Sequence, residues 1–321
     1  MTAMFTDLPD LAAERLGGKV LEANDDFFAP KEALIHAAAP VWREGEYTDR
    51  GKWMDGWETR RRRTPGHDWA VVQLGAAGIV RGVVIDTAFF TGNYPESASV
   101  DGCANWSGNP DVTWFPLLPQ TRLVGDARNE FAIEGRNDRV THLRLNIFPD
   151  GGVARLRVHG EVVPDPAMFA GGAEVDLAAL LNGGVVLECS DMHYGNRQNL
   201  IMPGRSTHMG DGWETRRRRG PGHDWTIVQL ARPGHIQRIE LDTDHFKGNA
   251  PGSCTLDRCD NGSAPFRAAD ATWNSILPDT PIAPDARHSW EIPRTPRTTH
   301  VRLNIFPDGG VARLRLIGKV E

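Results

Sequence analysis

Asp55-Gly56-Trp57-Glu58-Thr59-Arg60-Arg61-Arg62-Arg63-Thr64-Pro65-Gly66-His67-Asp68-Trp69 occurs twice in this chain. The second copy runs from Asp211 to Trp225 with one change, Gly220 for Thr64, at an offset of 211 − 55 = 156. An internal duplication fixes the architecture before any local reading, because each copy must be one folding unit with its own core. The chain therefore reads as two copies of one domain.

Working outward, Asp10-Leu-Ala-Ala returns as Asp176-Leu-Ala-Ala at an offset of 166, so the first copy carries 166 − 156 = 10 extra residues before its arginine motif. Pro40 to Arg50 is the expected insertion, a polar surface loop of a kind folds tolerate. Val162-Val-Pro164-Asp-Pro166 has linker composition, which divides the chain into domains 1–163 and 164–321. Residues 1 to 8 are expected to be a loose terminus.

After the motif come short β-branched runs punctuated by glycine and proline, Ala70 to Leu74 and then Ile79 to Thr87, matched by Thr226 to Leu230 and Ile236 to Thr243. That spacing predicts an all-β sandwich. Helix is expected only as turns at Asp10 to Leu16 and Asp176 to Leu181. Each copy closes with a near-identical block, His142-Leu-Arg144-Leu-Asn146-Ile-Phe-Pro-Asp150-Gly-Gly-Val and its counterpart from His300. Strand alternation puts Leu143, Leu145 and Ile147 on one face and His142, Arg144 and Asn146 on the other. Pro149-Asp-Gly-Gly152 reads as the hairpin turn into the last strand.

A net charge of −6 argues against nucleic acid or an anionic membrane as partner despite the arginine runs. No apolar run reaches the length of a membrane helix, and Met1 to Asp10 lacks the features of a signal peptide, so a soluble cytoplasmic protein is expected. Cys103, Cys189, Cys254 and Cys259 form no CxxC pair. Reduced, buried or semi-buried thiols are the expected reading.

In extended geometry Glu58, Arg60 and Arg62 would share one side of the motif, and Trp57, Thr59, Arg61 and Arg63 the other. An edge strand guarded by charge is one explanation. An anion site is the other, because guanidinium forks bind carboxylates bidentately. His67-Asp68 and His223-Asp224 could supply an acid or base near neutral pH, although neighbours on a strand point to opposite faces and Asp also caps turns. Asn93 and Asn249, each in a Gly-Asn turn, could meet amide groups or be there for their backbone tolerance. The His-Arg-Asn rows of the closing strands could line a cleft or face solvent.

Gly-Trp-Glu-Thr-Arg-Arg, His-Asp-Trp, Val-Gln-Leu, Asp-Thr-x-x-Phe-x-Gly-Asn and Arg-Leu-Asn-Ile-Phe-Pro-Asp-Gly-Gly, each present twice in fixed order, resemble the allantoicase family. The resemblance spans nearly the whole chain. It implies an all-β fold of two tandem jelly-roll β-sandwich domains of galactose-binding or discoidin-like type, and hydrolysis of allantoate to ureidoglycolate and urea in purine breakdown. Allantoate presents a carboxylate and two ureido groups, which call for a cation, amide partners, an acid and a base. The candidates are His67, Asp68, His223, Asp224, His245, Glu58 and Glu214 for proton transfer. For substrate binding they are Arg60, Arg62, Arg216, Arg218, Asn93, Asn249, Arg144, Asn146, Arg302 and Asn304.

A divalent metal is left open, as no HxH or HExxH spacing is present. His193, Asp244 and His245 occur only in copy two, which favours a site dominated by that copy or shared between copies over one site per repeat. Tandem sandwiches of this kind are expected to close into homo-oligomers. The competing readings are a non-catalytic ligand- or carbohydrate-binding module, since a fold does not set its function, and a scaffold subunit.

Overall fold

The computed structural model describes residues 4–106, 112–262 and 264–321. The chain divides into two compact units, Met1–Val163 and Pro164–Glu321. Each is a β-sandwich in which, among the described residues, helix is confined to 3-10 turns of three to five residues. The first unit contains β1 (Lys19–Ala23), β2 (Tyr47–Thr48), β3 (Gly51–Lys52), β4 (Trp57–Glu58), β5 (Asp68–Asp86) and β6 (Ser97–Cys103). It continues with β7 (Phe115–Arg122), β8 (Arg128–Ala132), β9 (Arg139–Phe148), β10 (Gly152–Val153) and β11 (Arg155–Val162).

The 19-residue β5 is shared by both layers. Its first part, Asp68 to Gln73, pairs with β9, with β1 on its other side, and the sheet extends from β9 through β6 to β7. Its second part, Gly78 to Asp86, pairs with β11 and, from Gly82, with β8. The sequence suggested two strands broken at Gly75 to Gly78, but the strand runs on. These glycines mark close backbone approach: a Cβ on Gly75 would lie 2.6 Å from the Leu16 carbonyl carbon, and one on Gly78 2.2 Å from the Glu161 oxygen.

The second unit repeats the plan with β12 (Val175–Asp176), β13 (Val185–Cys189), β14 (Trp213–Glu214), β15 (Asp224–Asp242) and β16 (Ser253–Cys259). There follow β17 (Asn274–Pro281), β18 (Arg287–Glu291), β19 (Thr298–Phe306), β20 (Gly310–Val311) and β21 (Arg313–Val320). Here β15 takes the place of β5.

Leu143, Leu145 and Ile147 are completely buried, as the alternation requires, and Trp57 and Phe90 fill the end of the first core. Asp10 accepts the Ala12 and Val158 N–H groups, at 3.2 and 2.9 Å, so the short turn it caps is tied to β11. Asp176 does the same with Ala178 and Leu316.

Two expectations are corrected. Pro149 to Gly152 is not a hairpin turn, because β9 and β11 do not pair with each other; β9 pairs mainly with the first part of β5 and β11 with the second, overlapping only at Gly78 and Ile79, and the loop crosses between layers. Nor is the described part of the N-terminus loose. Phe5 lies over Gly82, packs its ring edge-on against His159 at 5.9 Å, and begins a 3-10 turn. The ten-residue insertion is largely exposed but partly built, with Trp42 set against Phe89 at 5.9 Å and the Lys52 ammonium 4.0 Å over the indole. None of the four cysteines is in a disulfide; Cys103, Cys254 and Cys259 are buried and Cys189 is partly buried.

Candidate active site

The crossing loop Pro149-Asp150-Gly151-Gly152 gathers the repeated motifs at one end of the first unit. Thr59 and Gly151 exchange bonds, Thr59 N–H to Gly151 O and Gly151 N–H to Thr59 Oγ1, both at 3.1 Å. Asp68 N–H donates to Pro149 O at 3.2 Å, Gly152 N–H to Asn93 O at 2.7 Å, and Arg62 N–H to the Asp150 carboxylate at 2.7 Å. Gly152 is obligatory, since a Cβ there would stand 1.9 Å from the buried Phe90 ring. In the second unit Thr215, Gly309, Asp224, Pro307, Gly310, Asn249, Arg218 and Asp308 repeat these bonds.

The arginines divide by what they already hold. Only Trp57 and Glu58 are extended, and beyond Thr59 the chain leaves the sheet, so strand alternation does not order the run. Arg60 is exposed and reaches Asp25, Nη2 to Oδ1 at 2.9 Å. Arg62 turns inward onto Asp68 at 2.6 Å, where Asn24 Nδ2 also donates at 2.9 Å. Asp68 is almost fully buried. Arg218 meets Asp224 at 2.5 Å in the same way, with Ser190 in Asn24's place. Arg61, Arg63, Arg217 and Arg219 make no ion pair among the described residues.

His67 and Asp68 do not act on each other. His67 Nε2 lies 3.3 Å from Asn146 Oδ1, and its ring packs on Phe148 at 4.5 Å. Asn146 Nδ2 donates to Ser99 Oγ at 3.0 Å and Asp101 Oδ2 at 2.9 Å, which points its oxygen at the histidine. A carbonyl oxygen accepts, so Nε2 carries the ring proton and Nδ1 keeps the lone pair in the neutral form. Arg144 completes the row, bound to Asp101 at 3.0 Å and lying 5.1 Å from the Trp114 ring. His223, Asn304, Asp257, Arg302 and Trp273 reproduce it at 3.3, 2.9, 3.1 and 5.0 Å in turn. The polar row is thus not a plain solvated face: His142 and Asn146 are buried, with His142 beneath Trp106 and the half-buried Arg144 beneath Trp114.

Across the loop, Asn93 Nδ2 donates to Glu58 Oε1 at 2.7 Å, and Asn249 to Glu214 at 2.6 Å. Burial pushes the Glu58 carboxyl above its ordinary range, against the pull of the Asn93 bond. A carboxyl so placed holds a proton more readily than a free one. Each repeat therefore offers a carboxyl and a histidine held by asparagines on the two sides of one loop.

A family model for the allantoicase repeat matches residues 9–163 and again 175–321. The chain belongs to the allantoicase family. A probable allantoicase of Pseudomonas paraeruginosa is 49% identical over 99% of this chain and 98% of its own length. Probable allantoicase 2 of Burkholderia pseudomallei is also 49% identical, over 97% and 94%. The crystal structure of allantoicase from Saccharomyces cerevisiae has a TM-score of 0.82 at 36% identity, covering 97% of this chain and 92% of that one. As a member of the allantoicase family the chain is a hydrolase, and the readings as a non-catalytic sugar-binding module or scaffold are set aside.

The copy-two residues stand apart from the shared allantoicase motifs. His245, at φ 73°, donates its backbone N–H to Asp285, while its Nε2 lies 3.0 Å from Ser206 O. Asp244 is held by Arg205, and His193 is exposed beside Tyr194. Cavities of about 440 Å³ in the first unit and 290 Å³ in the second lie beside β8 and β11 and beside β18 and β21, and each is lined by the aspartate that opens the Asp-Thr-x-x-Phe motif, Asp86 or Asp242. Among the described residues no three His, Cys, Asp or Glu side chains are grouped as a metal-holding set.

Sequence reasoning missed Asp25, Asp150, Ser99 and Asp101. Asp101 had a usable signal. It recurs as Asp257 at the motif's own offset, 257 − 101 = 156, between Ser97 and Cys103, which recur as Ser253 and Cys259.

Proposed function

We propose that the chain hydrolyses allantoate to ureidoglycolate and urea, with one site in each repeat. The observation that carries this is the pairing of Glu58–Asn93 with His67–Asn146 about a single loop, repeated by Glu214–Asn249 and His223–Asn304 within 0.1 Å. Water adds to the central carbon of allantoate as the bond to one ureido nitrogen breaks. His67 Nδ1 accepts the proton of that water, and Glu58, kept protonated more readily by burial, gives a proton to the departing urea nitrogen.

Arg62 has an Nε without a partner and presents a charge fixed by Asp68, which suits the substrate carboxylate. Asp68 and Asp224 then position arginine and transfer no proton. Arg60 lies at the rim, and Arg144 and Asn146 hold the histidine through Asp101. The same roles pass to Glu214, His223, Arg216, Arg218, Arg302 and Asn304. His245 has no part in this arrangement, since its ring is already bonded to backbone. The reading places the protein in the cytoplasm, as a closed homo-oligomer serving purine breakdown.

Urea release from allantoate tests it. His67→Ala and His223→Ala should each leave about half the turnover, and the double variant should lose at least about a hundredfold, the usual scale for general acid–base work. No urea from the native protein would end the reading. Near-complete loss in either single variant would instead show one site shared by both copies.

A further inference from the structure

The outer pockets differ between repeats at an ion pair, and also where Glu240 lines the second and Val84 the first. In the second unit Arg205 donates to Asp244 Oδ2 through Nη2 at 2.7 Å and Nε at 3.2 Å, and Arg287 lies 3.6 Å from the same oxygen. The matching positions in the first unit are Ala39 (205 − 166), Ala88 (244 − 156) and Arg128 (287 − 159). Neighbouring bonds support this register. Buried Arg155 donates to Ala38 O at 3.0 Å, as Arg313 donates to Gly204 O at 3.2 Å. Both ends of the ion pair have therefore become alanine, while the second arginine stays.

The consequence is space and unspent charge. The pocket grows from about 290 to about 440 Å³, a gain of 440 − 290 = 150 Å³. Arg128 is left with Glu130 at 3.4 Å, an exposed neighbour on its own strand. Asp86 lines the pocket, is 7% exposed, and accepts through Oδ1 from Ala88 N–H at 2.9 Å. Its Oδ2 has no hydrogen bond among the described residues. Ala39, Pro40, Val84 and Ala88 add an apolar wall.

We propose that this pocket of the first repeat binds a small ureido carboxylic acid. The ligand's carboxylate takes the place on Arg128 that the Asp244 carboxylate takes near Arg287. Its planar N–H groups replace the Arg205 guanidinium and donate to Asp86. The second repeat fills the equivalent place with its own side chains, which compete with any ligand at high local concentration. Ureido acids are the product class of the reaction proposed above, on which this identification of the ligand rests. The pocket is thus a product-sensing site at the Asp86 end of the segment whose Asn93 end holds Glu58.

N-carbamoylglycine, a stable ureido acid, is the probe, titrated calorimetrically into the full-length protein. Ala39→Arg with Ala88→Asp rebuilds the ion pair and should remove one binding event per chain while leaving allantoate turnover at low substrate unchanged. Arg128→Gln should weaken that event at least tenfold. Arg205→Ala with Asp244→Ala should add an event by opening the second pocket. If the rebuilt pair does not fold, Arg128→Gln decides. No binding heat at millimolar probe, or titrations indifferent to these changes, would overturn the proposal. Urea release from the same native stock keeps the two readings apart: urea with indifferent titrations removes only the pocket, and no urea removes the catalytic reading.

Discussion

The loop end and the outer pocket of each repeat are built on the same strand yet keep different fidelity between copies. At the loop end, Arg62–Asp68 and Arg218–Asp224, His67–Asn146 and His223–Asn304, and Glu58–Asn93 and Glu214–Asn249 agree to within 0.1 Å. At the outer pocket, an Arg–Asp pair faces two alanines and a ten-residue insertion forms part of the wall. Groups that bond to one another around a single loop must be kept as a set, because losing one leaves another buried and unpaired. A pocket rimmed by separate side chains can change two residues together and keep its frame.

The comparison can be broken most sharply at the inward arginine. Arg62→Met leaves Asp68 buried with only Asn24 as neutral donor, and should destabilise the first unit by about 3 kcal/mol. Arg218→Met should do the same to the second unit, where Ser190 remains. Hydrogen exchange by mass spectrometry, followed in β9 and β19, should show about hundredfold faster opening confined to the altered unit. Adding Asp68→Asn to Arg62→Met should recover much of the loss. Exchange rates unchanged in both units would show that the arginine is dispensable to the fold, and would free it for substrate alone.

The aromatic cover over the closing strands differs between copies and gives the next effect. His300 stacks on Phe266 at 4.0 Å, its Nε2 is buried without a partner, and burial lowers its pKa to about 4. His142 is shifted in the same direction by burial, beneath Trp106 at 5.5 Å. A histidine whose folded pKa lies below its unfolded value of about 6.5 supports the fold above pH 6.5, and that support is lost as pH falls toward 4. The second unit should lose about 3 kcal/mol across that window. His300→Leu should flatten the loss. Equal acid sensitivity in the His300→Leu and native proteins, read by exchange in β19, would count against it.

Much of this was legible in the sequence because duplication and alternation are local signals. The repeat offsets identified the shared motifs, and the period of two placed Leu143, Leu145 and Ile147 in the core. Contacts between distant segments were not legible. Nothing near Arg60 announces Asp25, and the Arg62–Asp68 pair needs the chain to leave the sheet after Thr59. Glycines misled twice. Gly75 and Gly78 looked like a break but permit close packing inside a strand, and Gly151-Gly152 looked like a hairpin but crosses between layers under Phe90. His67 and Asp68 were expected to point to opposite faces. Their opposite faces send one to Arg62 and the other to Asn146.

The smallest effect separates catalysis from stability at Glu58. Burial raises its pKa above the ordinary 4.5, so the folded first unit disfavours the charged carboxylate. Its contribution to stability is complete below the unfolded pKa and is lost as pH rises through the folded one. Glu58→Gln cannot ionise, and its amide oxygen can still accept from Asn93. The variant should match the native first unit near pH 4 and be slightly more stable at pH 7, a modest gain because the side chain is only half-buried. If Glu58 supplies the proton to departing urea, the same variant loses turnover at the first site, leaving about half of the total at pH 7. Thermal melts and urea release at both pH values decide the matter together. A Gln variant that keeps full turnover would leave Glu58 as a hydrogen-bond acceptor for the Asn93 turn, whereas one less stable at pH 7 than the native protein would show that the charged carboxylate is favoured there.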